Sequence, residues 1–271
     1  MAVVIVRQST LKTWMQCNLK YYWQHEQQAD REQSSALSWG TAIHEAVLAM
    51  EVAGDLQVGI DKFCGIWDNL EAHNLEYAYL MPRNTHLGYR ELGVNALRSW
   101  WGLIQWESDV VLGREYPFSV PLGTHTLTGT IDKLTLRQMK HGEWVVCVSD
   151  YKTNSKQPTR DYLAHDIQFS AYAYATTQPE FWANIPDGDL LFEQHKNSRR
   201  MGEWVHLRTT KRIDAGFRED YHYKRLQYLI DNMETSVAMG IYNPTVTGDA
   251  CEYCEFRLVC GLPSREEEGL E

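Results

Sequence analysis

An acid and a lysine stand two residues apart where an apolar run ends: Val145, Val146, Cys147 and Val148 lead into Asp150-Tyr151-Lys152. Side chains on a strand alternate faces, so Asp150 and Lys152 point one way and Tyr151 the other. Desolvating such a pair is costly unless something charged lies between them. A hard divalent cation and a phosphate meet that condition. The acid would hold the metal, and the lysine would steady an attacking water or the charge developing on the phosphate. Asp132 is a second acid, ending the strand-like run 126–131. The turn-like segment 138–142 joins the two strands as a hairpin, from which two acids can converge on one ion. A pair of exposed strand-end carboxylates with a salt-bridging lysine is the competing reading.

Six cysteines occur, and three lie close together as Cys251-x2-Cys254-x5-Cys260. Disulfides are disfavoured in the cytoplasm, and soft thiolates at this spacing suit iron–sulfur or zinc. Either metal needs a fourth ligand, for which Cys17 is the best candidate. Cys64 and Cys147 have no partner at ligand spacing, and Cys147 reads as core.

Asp132, Asp150 and Lys152 resemble the signature of the PD-(D/E)XK nuclease superfamily. Gln168-Phe-Ser-Ala-Tyr172 resembles the Q-x-x-x-Y element of its RecB-like branch, and Gly40-Thr-Ala-Ile-His44 resembles that branch's histidine helix. Ser9, Leu11, Trp14 and Cys17 are similar to the cysteine-bearing helix of branch members that carry a [4Fe–4S] cluster, such as the CRISPR-associated Cas-four exonucleases and AddB-type nucleases. Asn18 departs from the proline that often follows that cysteine.

The resemblance implies an α/β restriction-endonuclease-like core, a mixed central sheet flanked by helices. It implies Mg2+ or Mn2+ held by His44, Asp132, Asp150 and the Tyr151 carbonyl, with Lys152 positioning water and Gln168 and Tyr172 orienting substrate. Glu115, at the start of a strand, is a further candidate acid. Cys17, Cys251, Cys254 and Cys260 would hold a [4Fe–4S] cluster, zinc being the fallback. The implied activity is DNA hydrolysis, as an exonuclease on ends or single strands. The implied setting is recombination, repair or CRISPR adaptation-like processing, with proteins of those pathways as partners. Two rivals are a non-hydrolytic nucleic-acid-binding or scaffold subunit and a zinc-stabilised interaction module. The intact Asp132, Asp150 and Lys152 argue against the first.

The elements that must position these residues follow from periodicity. Ser9 is a plausible N-cap for a helix carrying Leu11, Trp14, Cys17 and Tyr21. Residues 30–38 read as loop and 40–52 as a helix that sets His44 among Ile43, Val47 and Leu48. Helices over 63–79 and 89–106 form a lobe, with Trp67, Leu70, Leu97, Trp100, Trp101 and Ile104 as core. Strands begin at 115–121, and a helix over 160–177 puts Gln168 and Tyr172 on one face. Residues 188–195 and 203–209 read as strands joined by a basic turn that would meet a phosphate backbone. A long helix over 215–239 follows, with Phe217, Tyr221, Leu226, Leu229, Ile230, Met233 and Val237 facing the core.

The 271 residues suit one domain over 1–263: a helical elaboration at about 55–110, a nuclease core at about 111–240, a cluster-binding segment at 249–260 and a disordered tail at 264–271. Net charge is −10, which counts against binding nucleic acid through a bulk positive field but leaves room for a local basic groove. Candidate basic positions include Lys152, Lys156, Arg160, Arg199, Arg200 and Arg212. Ten tryptophans and fifteen tyrosines suit buried helices, with a few as stacking platforms for bases. No signal peptide or membrane-spanning run is visible, and the expected location is cytoplasmic without membrane contact.

Overall fold

In this computed structural model, residues 5–29, 34–73, 86–245, 251 and 254–261 are described. A six-stranded mixed sheet carries the chain. Its strands are β1 (Ile5–Arg7), β2 (Val110–Leu122), β3 (His125–Gln138), β4 (Trp144–Lys152), β5 (Arg200–His206) and β6 (Lys211–Arg218). Strand β3 organises it: one edge pairs with antiparallel β2 along its length, and the other with parallel β1 and then antiparallel β4. Strand β4 pairs in parallel with β5, and β5 antiparallel with β6. The β3–β4 hairpin expected from the sequence is present.

Alternation along β4 separates two cores. Val146 and Val148 face helix α7 (Ile167–Ala175) and α10 (Asp220–Ala238), where Phe169, Leu226 and Ile230 are buried. Helix α1 (Gln8–Gln16) adds Leu11 to that side, and the short α2 (Asn18–Tyr21) adds Tyr21. Tyr151 faces the opposite lobe of α3 (Ser35–Ala53), α4 (Leu56–His73) and α5 (Tyr89–Ile104), filled by Trp39, Phe63, Trp67 and Trp100. Burying each of these aromatics stabilises the fold by roughly 1.5–3 kcal/mol or more over leaving it exposed. Trp182 and Trp204 are buried too, but Trp106 is 88% exposed.

Several expected boundaries differ. Residues 188–195 form helix α9 (Gly188–His195), after α8 (Pro179–Trp182), and not a strand. The segment has no β-branched residue, and its two leucines, Glu193 and Gln194 favour helix. Residues 215–217 belong to β6; α10 starts only at Asp220, where the Glu219 N–H donates to His222 Nδ1 at 3.1 Å. Tyr221 is therefore exposed and not core. The 160–177 helix is two, α6 (Arg160–Ala164) and α7, because Asp166 Oδ1 accepts the Gln168 N–H at 2.8 Å and caps α7. Arg7, not Ser9, precedes the first turn of α1, since β1 runs straight into it. Residues 35–38 are helical, capped by Ser34, not loop. Parts of the expected 63–79 helix and the tail at 264–271 lie outside the described residues. Among the described residues no helix is long and apolar enough to cross a membrane.

Candidate active site

Gly40 explains how α3 reaches the sheet. A side chain there would meet Thr153 Oγ1 at 2.9 Å, so the bare glycine lets α3 close on the end of β4. One turn later His44 faces β2 and β3.

Strand β2 has a bulge between Val111 and Gly113, and Glu115 takes a left-handed φ of 43°. Its neighbours Arg114 and Tyr116 pair with Lys133 and Ile131, which places Glu115 across from Asp132. A non-glycine residue in that region is strained, and such strain persists where the surroundings fix it. His44 Nδ1 lies 3.6 Å from Glu115 Oε1 and 3.9 Å from Asp132 Oδ1. One ligand atom from each of the three lies within 4.8 Å of the other two. Two carboxylates and an imidazole suit a divalent cation of hard or borderline character.

Asp150 belongs to an adjoining cluster. Its carboxylate, almost fully buried, lies 2.6 Å from Lys152 Nζ and accepts from Gln168 Nε2 at 2.7 Å. Gln168 also donates to Tyr172 Oη at 2.8 Å. The clusters meet at Asp132, whose other oxygen accepts the Tyr151 backbone N–H. The Tyr151 side chain points away, its hydroxyl donating to Glu51 at 3.0 Å.

The electrostatics leave negative charge uncompensated where an ion would sit. Burial, then the neighbouring Asp150, push Asp132 up to about 7, against the opposing pull of His44 and Lys152. Burial pushes the His44 imidazole down, but Glu115 and Asp132 outweigh it and its pKa ends above the ordinary value. Burial likewise opposes the charge of Lys152, yet Asp150 and Asp132 hold it above the usual lysine range. Lys152 is therefore an ammonium at neutral pH, a donor and not a base. Burial beside Asp150 and Asp132 holds Tyr172 well above the usual phenol range, so it keeps its proton.

These shifts fix a pH dependence for the metal-free protein. Asp132 binds its proton more tightly folded than unfolded, so its stabilising contribution is full below its unfolded pKa and lost as pH rises through about 7. His44, also raised, acts in the same direction. Metal-free protein should lose thermal stability as pH rises from about 4 to 7, on the order of a few kcal/mol. Manganese near 100 times its dissociation constant should restore about 2.7 kcal/mol at the upper end. Thermal unfolding with and without Mn2+ measures this; a flat, metal-insensitive profile contradicts it.

Beneath the α3–α5 lobe lies a charge network with no counterpart among the sequence motifs. Glu51, one heptad beyond His44 on α3, accepts from Trp100 Nε1 at 2.9 Å and Arg114 Nε at 2.8 Å and lies 3.5 Å from Lys133 Nζ. Lys133 and Arg212 share Glu107, and Arg137 and Arg212 share Glu203. Arg212 is thereby committed to protein carboxylates. Arg200 is buried, donating to the carbonyls of Lys196 and Thr176, and Arg199 stacks over Phe217 at 3.4 Å. The basic turn expected to meet phosphate is thus largely spent inside the fold.

The cysteines are only partly assembled. Cys17 falls in the break between α1 and α2, where its Sγ accepts the Thr245 N–H at 3.4 Å. Cys251 Sγ lies 3.6 Å from the Thr245 carbonyl, and Lys20 bridges to Glu255 at 3.0 Å. Cys260 ends helix α11 (Arg257–Cys260). Among the described residues no three cysteine sulfurs lie within 4.8 Å of one another, so no closed single-ion thiolate site is preformed.

A family model described as the PD-(D/E)XK nuclease superfamily matches residues 7–261. No curated protein matches the chain. A solved structure named SSO0001 is similar at 11% identity and a TM-score of 0.38, covering 96% of this chain and 87% of that one. A structure from Eubacterium rectale named "Putative exonuclease" is similar at 11% identity and a TM-score of 0.49, covering 94% and 93%.

Proposed function

The chain belongs to the PD-(D/E)XK nuclease superfamily, and from that premise we propose that it is a metal-dependent deoxyribonuclease of the RecB-like branch, acting as an exonuclease on DNA ends or single strands. The observation that carries the reading is the approach of His44, Glu115 and Asp132 within 4.8 Å beside the Asp150–Lys152 pair. His44, Glu115, Asp132, Asp150 and the Tyr151 carbonyl would hold Mg2+ or Mn2+. A bound cation supplies Lewis acidity and lowers the pKa of a coordinated water. Lys152, already an ammonium, would stabilise charge on the phosphate and orient the attacking water. Gln168 holds the Asp150 carboxylate in place, and Tyr172 offers a proton that burial prevents it from losing. Water attacks phosphorus in line; the new P–O bond forms as the ester P–O bond breaks. The exonuclease direction rests on the motif resemblance, as does a role in recombination, repair or CRISPR adaptation-like processing. Residues 1–263 would form one nuclease domain, with the stretch at about 55–110, which holds α4 and α5, as its helical elaboration.

Digestion of end-labelled single- and double-stranded DNA in Mn2+ tests this, with Asp150→Asn as the blank. Stepwise release of short products by wild type alone supports it. Intact DNA with both proteins would favour a binding or scaffold subunit.

The second part of the proposal is a [4Fe–4S] cluster on Cys17, Cys251, Cys254 and Cys260. What supports it is the meeting of Cys17 and Cys251 at Thr245 across the whole length of the chain, together with the donor chemistry. A cluster spreads its thiolates farther than one zinc ion does, and its binding would tie the two ends of the chain together as folding free energy. Cys251→Ala should lose a brown chromophore absorbing near roughly 400 nm and unfold at lower temperature. Anaerobically purified wild type that holds zinc and no iron would replace the cluster with the zinc fallback.

A further inference from the structure

Helix α1 touches the candidate site at two points one turn apart. Gln8 Nε2 donates to Tyr172 Oη at 3.3 Å, and Lys12 Nζ donates to Gln168 Oε1 at 3.2 Å while pairing with Asp166 Oδ2 at 3.1 Å. Gln168 therefore uses both ends of its amide. Its NH2 serves Asp150 and Tyr172, and its carbonyl receives Lys12.

The two ends of a glutamine amide have nearly the same shape, so its partners decide which end faces Asp150. Turned over, Gln168 would set its carbonyl against a carboxylate. A lysine ammonium has donors only and tolerates only the carbonyl beside it. We propose that Lys12 is a positioning residue: it locks the Gln168 amide so that the NH2 end holds the Asp150 carboxylate in its working orientation. Tyr172 is set from the same helix. Its oxygen accepts from Gln8 and Gln168, which fills both lone pairs and leaves its proton for an acceptor in the site. Lys12 lies outside every motif that points to the site from sequence; the visible trace is the i, i+4 spacing of Gln8 and Lys12 on α1, matching that of Gln168 and Tyr172 on α7.

The alternative for an ammonium that is 38% exposed at its side chain is direct contact with a substrate phosphate. A double-mutant cycle separates the two. The inference rests on the nuclease reading for its rate effects, so a second readout independent of activity accompanies it. Wild type, Lys12→Met, Lys12→Arg, Gln168→Ala and the Lys12→Met/Gln168→Ala double variant are compared by kcat and KM in Mn2+, and Gln168→Ala assigns the Gln168 side-chain NH2 resonance in 15N-labelled protein. Lys12→Met should lower kcat by about 10–100-fold, as loss of a group that supports a metal ligand does. KM should stay nearly constant, Lys12→Arg should recover most of the rate, and the double variant should be no slower than Gln168→Ala. The Gln168 NH2 resonance should shift in Lys12→Met. Losses that multiply in the double variant, a raised KM at unchanged kcat, or an unmoved resonance overturn the assignment. If wild type cleaves no DNA the nuclease reading fails, and the resonance alone still decides whether Lys12 sets Gln168.

Discussion

Asp150→Asn is expected to slow DNA cleavage by at least about 10³-fold, roughly 4 kcal/mol of transition-state stabilisation, while the protein stays folded. The asparagine keeps an oxygen for Gln168 but removes the charge that a hard cation and Lys152 both need. Folding survives because the side chain of Lys152 is a third exposed and can take water in place of the lost carboxylate. A second consequence distinguishes this change from simple damage. Asp150 is the largest charged neighbour pushing Asp132 up to about 7. With that charge gone, the Asp132 pKa falls, and the metal-free variant should lose less stability than wild type as pH rises from about 4 to 7. Single-turnover cleavage of labelled DNA and thermal unfolding across about pH 4 to 7 measure both effects. Cleavage within tenfold of wild type would remove Asp150 from the chemistry.

Glu203→Ala should give the largest loss of stability. Glu203 is 5% exposed and accepts from Ser149 Oγ, Arg137 and Arg212, at 3.1, 2.9 and 2.6 Å. Within the network four acids, Glu51, Glu107, Asp109 and Glu203, face four cations, Arg114, Lys133, Arg137 and Arg212. Removing one acid leaves an excess cation in a largely desolvated place, which costs about 3–5 kcal/mol. For a chain of this size that is a fall in Tm of roughly 10 °C. Burial opposes the charge on Glu203 and Glu51, but the adjacent cations outweigh it and hold both below the usual carboxylate range. Their contribution is present above the ordinary glutamate pKa and lost as pH falls through their folded values. Acid should therefore unfold the protein through this network, whereas the metal-free site weakens it as pH rises towards 7. Calorimetry on wild type and Glu203→Ala checks both; a Tm change under about 3 °C would show the network to be dispensable.

The local parts of this architecture were legible in the residues. The Asp150-Tyr151-Lys152 alternation, the β3–β4 hairpin and the Gln168–Tyr172 spacing each depend on a strand or helix period, and these periods hold in the fold. Gly40 and His44 were legible as a motif, but the reason for the glycine, close approach to Thr153, exists only in three dimensions. Glu115 was a lone acid in the sequence. It reaches Asp132 through a bulge and a left-handed residue, neither of which a composition of ordinary strand formers announces. The buried charge network was hidden for the opposite reason: Lys133, Arg137 and Arg212 look like solvated surface until their partners, scattered from Glu51 to Glu203, are folded against them. Residues 188–195 misled because short apolar runs suit strand and helix alike, and only the absence of β-branched residues and the propensity of Leu, Glu and Gln favoured helix.

The proposed cleavage requires one cation shared by residues from α3, β2, β3 and β4. Crystals soaked in Mn2+ and measured at the manganese absorption edge locate that cation directly. An anomalous peak within about 2.5 Å of ligand atoms from His44, Glu115 and Asp132, on the side facing Asp150, is the predicted result. No peak there in well-diffracting crystals, or a peak held by other residues alone, would contradict it.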